Sequence, residues 1–189
     1  MPTPADLEPF LAKLAGTPSP PDTVNPWSDE TPYGAIRRNN LRLFFEQLLE
    51  RDVRTMLVGE APGYQGCRRT GVGFTSEPQL IGGIPELELF GEARGYRLTG
   101  EFPTMRKEPS ATIVWGELAR HRFTPLIWSA FPFHPHKPGN PLSNRAPKRA
   151  EIEFGRGIVL DLIEVFQIER VFAVGNVGHA SLATAGIDA

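Results

Sequence analysis

Two stretches of the chain concentrate the residue types from which a reaction site can be built. The first is Gly59-Glu60-Ala61-Pro62-Gly63-Tyr64-Gln65-Gly66-Cys67-Arg68-Arg69-Thr70-Gly71-Val72-Gly73-Phe74. Its glycines let the backbone approach a ligand closely, and Pro62 stiffens the bend. No Gly-Lys-Ser/Thr follows, so this is not a nucleoside-triphosphate loop. The second is Trp128-Ser129-Ala130-Phe131-Pro132-Phe133-His134-Pro135-His136-Lys137-Pro138-Gly139-Asn140-Pro141-Leu142-Ser143-Asn144-Arg145. It offers a hydroxyl, two imidazoles, carboxamides and cations. His134 and His136 could chelate a metal where the backbone bends, but Pro135 between them and the lack of a nearby third ligand argue against it, so no metal is expected. Cys67 is the only cysteine, which excludes an internal disulfide and a cluster held by four thiolates.

Charge is informative locally rather than in bulk. A net charge of −2 does not mark a nucleic-acid binder. From 119 to 150, however, there is no Asp or Glu, while Arg120, Arg122, Lys137, Arg145, Lys148 and Arg149 fall there. That stretch reads as a solvated basic face or as a surface for phosphates. Arg68 and Arg69 in the first loop carry the same pair of readings.

The elements that must position these residues follow from periodicity. Thr55-Met56-Leu57-Val58-Gly59, Pro125-Leu126-Ile127-Trp128-Ser129 and Arg170-Val171-Phe172-Ala173-Val174-Gly175 are short apolar runs that predict buried parallel strands. Asn39 or Asn40 is expected to cap a helix with Leu41, Phe44, Phe45, Leu48 and Leu49 on one face. Ser110 is expected to cap another through Arg120. A third opens at Pro147 and runs to about Gln167, with Gly155 and Gly157 weakening its middle, and a last begins after Asn176. Helix alternating with buried strand predicts an α/β fold, an open parallel sheet with helices on both faces and a ligand site beyond the carboxyl ends of its strands. Prolines crowd the start, so 1–38 is read as an arm over the domain, with a short helix around Leu7 to Leu14, and 39–189 as the domain proper.

With 189 residues, 40% hydrophobic and 22% charged, the chain has an ordinary globular balance and length for one domain. It has no apolar run of membrane-spanning length, and MPTPADLEPF has no basic segment leading into an apolar one, so a cytoplasmic monomer without a membrane partner is expected.

Read whole, the string from Gly59 to Phe74 resembles the first motif of the uracil-DNA glycosylase superfamily in its GEAPG form. The segment from Trp128 to Arg145 resembles the same superfamily's second strand-to-loop segment, which ends in a Pro-Gly-Asn or Asn-Arg turn. The third strand and Gly175-Asn176 follow in order, so the resemblance covers 39–189. It implies a three-layer α/β/α fold with a short central parallel sheet. It also implies a cofactor-free enzyme of base-excision repair that flips a deaminated base, uracil or a relative, out of DNA and hydrolyses its N-glycosidic bond.

Carried over residue by residue, the resemblance makes Phe74 the aromatic wall for the base, with core packing as the plainer alternative. Gly59, Ala61, Pro62, Gly63 and Tyr64 frame the base-binding recess. Glu60 orients water or faces the cationic sugar, unless it is simply solvated. Ala61 stands where the most active branches carry Asp or Asn. Ser129 stands where the superfamily usually has an asparagine that pairs twice with uracil, and one hydroxyl cannot do that, which puts uracil selectivity in doubt. Asn140 or Asn144 takes the substrate-contacting turn position, or either is a turn residue only. Arg68, Arg69, His134, His136, Lys137 and Arg145 are the expected DNA contacts. The superfamily's third segment, His-Pro-Ser or a variant after a fourth strand, does not occur before Ala189, so the last strand is expected to be missing and activity weak or lost. The competing reading is a catalytically silent nucleic-acid binding module.

Overall fold

The computed structural model describes residues 3–184. A 3-10 turn, Pro4–Leu7, leads into α1 (Glu8–Gly16), followed by β1 (Thr23–Val24), α2 (Gly34–Leu49), β2 (Thr55–Gly59), α3 (Cys67–Thr70), α4 (Glu77–Gly82), α5 (Pro109–Arg120), β3 (Leu126–Ser129), β4 (His134–Pro135), α6 (Arg149–Phe166), β5 (Arg170–Ala173) and α7 (Asn176–Thr184). The expectation of a missing third segment bears on residues 185–189, which lie outside the described residues.

The molecule is a mixed α/β structure around a small parallel sheet of three strands in the order β3-β2-β5. Met56 pairs with Leu126 on one side of β2 and with Val171 on the other, and the register ends with Gly59 beside Ser129 and Val58 beside Ala173. All four residues of β3 are buried, which is why the run Leu-Ile-Trp-Ser shows no polar alternation. A second, two-stranded antiparallel ladder joins β1 to β4, with Val24 opposite His134. Among the described residues, no helix is long and apolar enough to cross a membrane.

The three parallel strands lie where their apolar runs predict. Helix α2 begins earlier than its asparagines suggest, with Tyr33 as its N-cap. Asn40 is buried inside the helix instead. Its side-chain nitrogen donates to the carbonyls of Thr70 and Arg97, both at 2.9 Å, and its Oδ1 accepts from the Arg97 N–H, so the amide clamps two loops. Helix α5 starts one residue before Ser110, with Glu108 at the N-cap.

The division at residue 38 falls inside α2, and the first residues are built into the core rather than laid over it. Leu7, Phe10, Leu11, Leu14 and Trp27 are buried in the same apolar cluster as the sheet. Trp27 stacks on Trp128 of β3 at 5.3 Å between ring centroids, and Phe45 of α2 meets Phe10, Trp128 and Phe166. Gly155, which looked like a weak point of α6, is a contact point: a Cβ there would collide with the Ala130 carbonyl oxygen, so only glycine lets the helix come this close to the end of β3.

Candidate active site

The carboxyl ends of β2, β3 and β5 open into one cleft of about 680 Å³. Glu60, Ala61, Pro62 and Gly63 enter it from the bend after β2, Ser129 from the tip of β3, Val174 and Gly175 from the exit of β5. The start of α5 closes one side with Glu108, Ser110, Ile113 and Val114, and Asn144 and Arg145 come from the loop before α6. The volume falls in the range of small-molecule pockets.

Phe74 lines this cleft from a backbone conformation that bulky residues seldom take, with φ of 48°. The surrounding turn is held by hydroxyls: Thr70 donates to the Thr75 carbonyl at 3.0 Å and Thr75 to the Gly73 carbonyl at 2.9 Å. The Phe74 ring lies over Gly59, where any Cβ would collide with it. Gly59 stands beside Ser129 in the register, and Phe74 and Ser129 both line the cleft at the strand tips.

The two asparagines separate clearly. Asn144 lines the cleft, and its Oδ1 accepts the Tyr64 N–H at 3.1 Å, which ties the two signature loops together. Its Nδ2 reaches within 4.0 Å of where a Gly63 Cβ would be. Asn140 is exposed in the turn after β4 and uses its Oδ1 to accept the Leu142 N–H at 3.2 Å, a turn role away from the cleft lining. Tyr64 likewise stays off the lining, with its hydroxyl accepting from the Gln65 amide. Glu60 is half-buried in the cleft, and its main-chain carbonyl accepts the Phe131 N–H at 3.1 Å.

Three expected DNA contacts require correction. Arg68 is 8% and Arg69 5% exposed, and both guanidinium groups face inward. Arg68 makes two hydrogen bonds to Glu101, at 2.9 and 2.7 Å, and Arg37 donates to the same carboxylate. Burial alone would raise the Glu101 carboxyl, but the hydrogen bonds and charges of Arg68 and Arg37 outweigh it and hold it below its ordinary value. Arg69 pairs with Glu77 at 2.7 Å, donates to the Thr104 carbonyl, and lies 3.9 Å from the Phe102 ring centroid. Such pairing compensates the charge of a buried guanidinium, and the Arg68 Nε left without a partner is itself sealed from solvent and so from a phosphate.

His134 is fully buried, with Nδ1 at 2.8 Å from the Pro62 carbonyl oxygen and Nε2 at 3.1 Å from that of Pro141. Burial pushes its pKa down against the pull of the two carbonyls, so the neutral ring has one N–H to give and braces the bend after β2 against the following turn. Arg145 touches the cleft, but its guanidinium is gripped by Glu151 at 2.8 and 2.6 Å. Lys137 is exposed and His136 half-buried. No group of three His, Cys, Asp or Glu able to hold a metal occurs among the described residues.

Sequence patterns passed over Glu108. An acid just before Pro109 reads as an ordinary helix-start residue, yet its carboxyl is carried into the cleft against the bend 63–66. A Cβ on Gly63 would lie 2.7 Å from its Oε1, and one on Gly66 would overlap Oε2. Oε2 is sealed from solvent without a hydrogen-bond partner, and burial pushes the carboxyl up to about 7. Cys67 also lines the cleft, but burial, reinforced by Glu108, raises its pKa and keeps it a neutral thiol, unsuited to nucleophilic attack. The signal that would have exposed Glu108 is the Gly63-x-x-Gly66 spacing, two missing side chains on one bend.

No protein-family model matches this chain, and no curated protein sequence matches it.

Proposed function

We propose that the cleft receives a nucleobase turned out of DNA and that the protein is a base-excising N-glycosidase of the uracil-DNA glycosylase kind. The observation that carries this reading is the convergence of the Phe74 ring, the Gly59–Gly63 bend, Ser129, Asn144 and Glu60 on one cleft at the strand ends. An aromatic face stacks any base, and a few polar groups around it set its orientation. Ser129 offers a single hydroxyl and Asn144 an amide N–H for that purpose.

In this reading the bond from C1′ to the base breaks with its electron pair going to the base, and water adds to the cationic sugar. Glu60 is the carboxylate placed to face that cation or to take the proton from the water. With Arg68, Arg69 and His134 committed internally, the phosphates fall to Lys137, His136, Lys148 and Arg149, of which the lysines and Arg149 are exposed. The reading includes the finer three-layer architecture of that superfamily and a cytoplasmic monomer acting on DNA.

The test is release of free base from single- and double-stranded oligonucleotides carrying uracil or hypoxanthine. Release above the buffer control is expected. No release together with no binding to an abasic-site duplex rejects the reading, and binding without release would leave a silent nucleic-acid module in its place.

A further inference from the structure

Glu108 is an ionisable group of the cleft that the chemistry above leaves unused. Among the described residues no donor or cation pairs with its carboxyl, and Oε2 is sealed against the bend at Gly66. Oε1 lies on the Gly63 side, where a Cβ would sit 2.7 Å from it and 4.0 Å from the Asn144 Nδ2. The amide is turned that way because its Oδ1 is occupied by the Tyr64 N–H. Two polar atoms from distant segments therefore converge over a residue that has no side chain.

We infer that Glu108, as an uncharged acid, donates the Oε1 hydrogen to a carbonyl oxygen of the bound base, and that with Asn144 Nδ2 it makes the cleft selective for oxo-bases over amino-bases. The inference rests on the base-binding reading above and deepens it. An oxo-base presents acceptors to these two donors. An amino-base presents its NH₂ to them, which leaves donors facing donors and a buried polar group unpaired. Ionised, Glu108 turns from donor to acceptor and the preference is lost.

The surroundings are compatible with an uncharged acid. Burial disfavours the charged form and pushes the carboxyl up to about 7. Cys67 on α3 faces it as a neutral thiol. Arg68 and Arg69 on the same helix are neutralised by Glu101 and Glu77, and Arg145 in the cleft by Glu151. Glu60 shares the cleft, and Lys107 beside Glu108 in the chain is exposed.

The experiment is fluorescence anisotropy with the full chain and an oligonucleotide carrying 2′-fluoro-deoxyuridine, which resists cleavage, against the same strand carrying deoxycytidine. Preference for the uracil strand is expected at pH about 6 and should fall about tenfold per pH unit above the carboxyl's titration near 7. Glu108→Gln, whose amide donates at every pH, is expected to hold the preference at pH about 8.5, where the unaltered protein has lost it. Glu108→Leu is expected to retain only the small, pH-independent part that the Asn144 amide supplies. A Glu108→Leu protein that discriminates like the unaltered one at pH about 6, or a Glu108→Gln protein that loses discrimination in parallel with it, would overturn the inference. Base release measured alongside on unfluorinated strands separates the two proposals. Release with a pH profile indifferent to residue 108 removes this donor and leaves excision standing. The predicted binding pattern without release does the reverse.

Discussion

Phe74 and Gly59 form a matched pair: the ring occupies the space that a side chain at 59 would need, and the turn that carries the ring is held at positive φ by threonine hydroxyls. Phe74→Ala is expected to weaken binding of an extruded base by about 1–3 kcal/mol, the worth of one stacked base, as read by titration of a 2′-fluoro-deoxyuridine strand. Glu108 makes a separate prediction about stability. Its carboxyl titrates near 7 in the folded protein and near the ordinary carboxylate value once unfolded. Between those values the folded state holds a proton that the unfolded chain has released, so this group's contribution to stability falls as pH rises through the window and levels off above it. Glu108→Gln should therefore stabilise the protein by up to about 3 kcal/mol at pH about 8.5, and the gain should largely vanish near pH about 4, as read from urea denaturation. At this scale the sequence is legible where a residue ends a strand: Ser129 closes the apolar run of β3, whereas Phe74 is singled out only by the resemblance of its loop. Glu108 was not, because its setting depends on two glycines far earlier in the chain. Arg68 and Arg69 were misread because a cation shows its charge in the sequence but not its partner, and the partners lie at Glu101 and Glu77, on other elements.

The elements work as supports for those residues. α3 is a single turn whose two arginines pin it to α4 through Glu77 and to the loop after α4 through Glu101. Arg69→Ala leaves the Glu77 carboxylate buried without its cation, so a loss of about 3–5 kcal/mol in unfolding free energy is expected, with a collapse of the first loop rather than a selective loss of DNA affinity. α6 meets β3 through Gly155, whose missing Cβ is replaced by the Ala130 carbonyl oxygen. Gly155→Ala should push the helix off the strand and lower stability by about 1–3 kcal/mol, measurable by thermal melting. The strands and the later helices were readable because apolar periodicity reports burial directly. The start of α2 was not, because Asn40 resembles a cap in sequence and is in fact a buried clamp between Thr70 and Arg97.

Across the whole molecule, one core joins the first residues to the sheet. Proline content says little about the packing of residues 3–38, since Leu7, Leu11 and Leu14 on α1 and its preceding turn, and Trp27 after β1, are buried with the strands. Leu14→Ala is expected to cost about 2–5 kcal/mol, in a single cooperative transition shared with the sheet. That core holds the three parallel strands side by side, and the cleft at their carboxyl ends is the feature on which the functional account turns. The most direct measurement is a crystal structure of the protein with a duplex carrying one 2′-fluoro-deoxyuridine. The account predicts that the uracil leaves the helical stack and lies against the Phe74 ring, within hydrogen-bond reach of Ser129 or Asn144. A uracil still paired in the duplex, or bound away from the cleft while the cleft stays open, would contradict it.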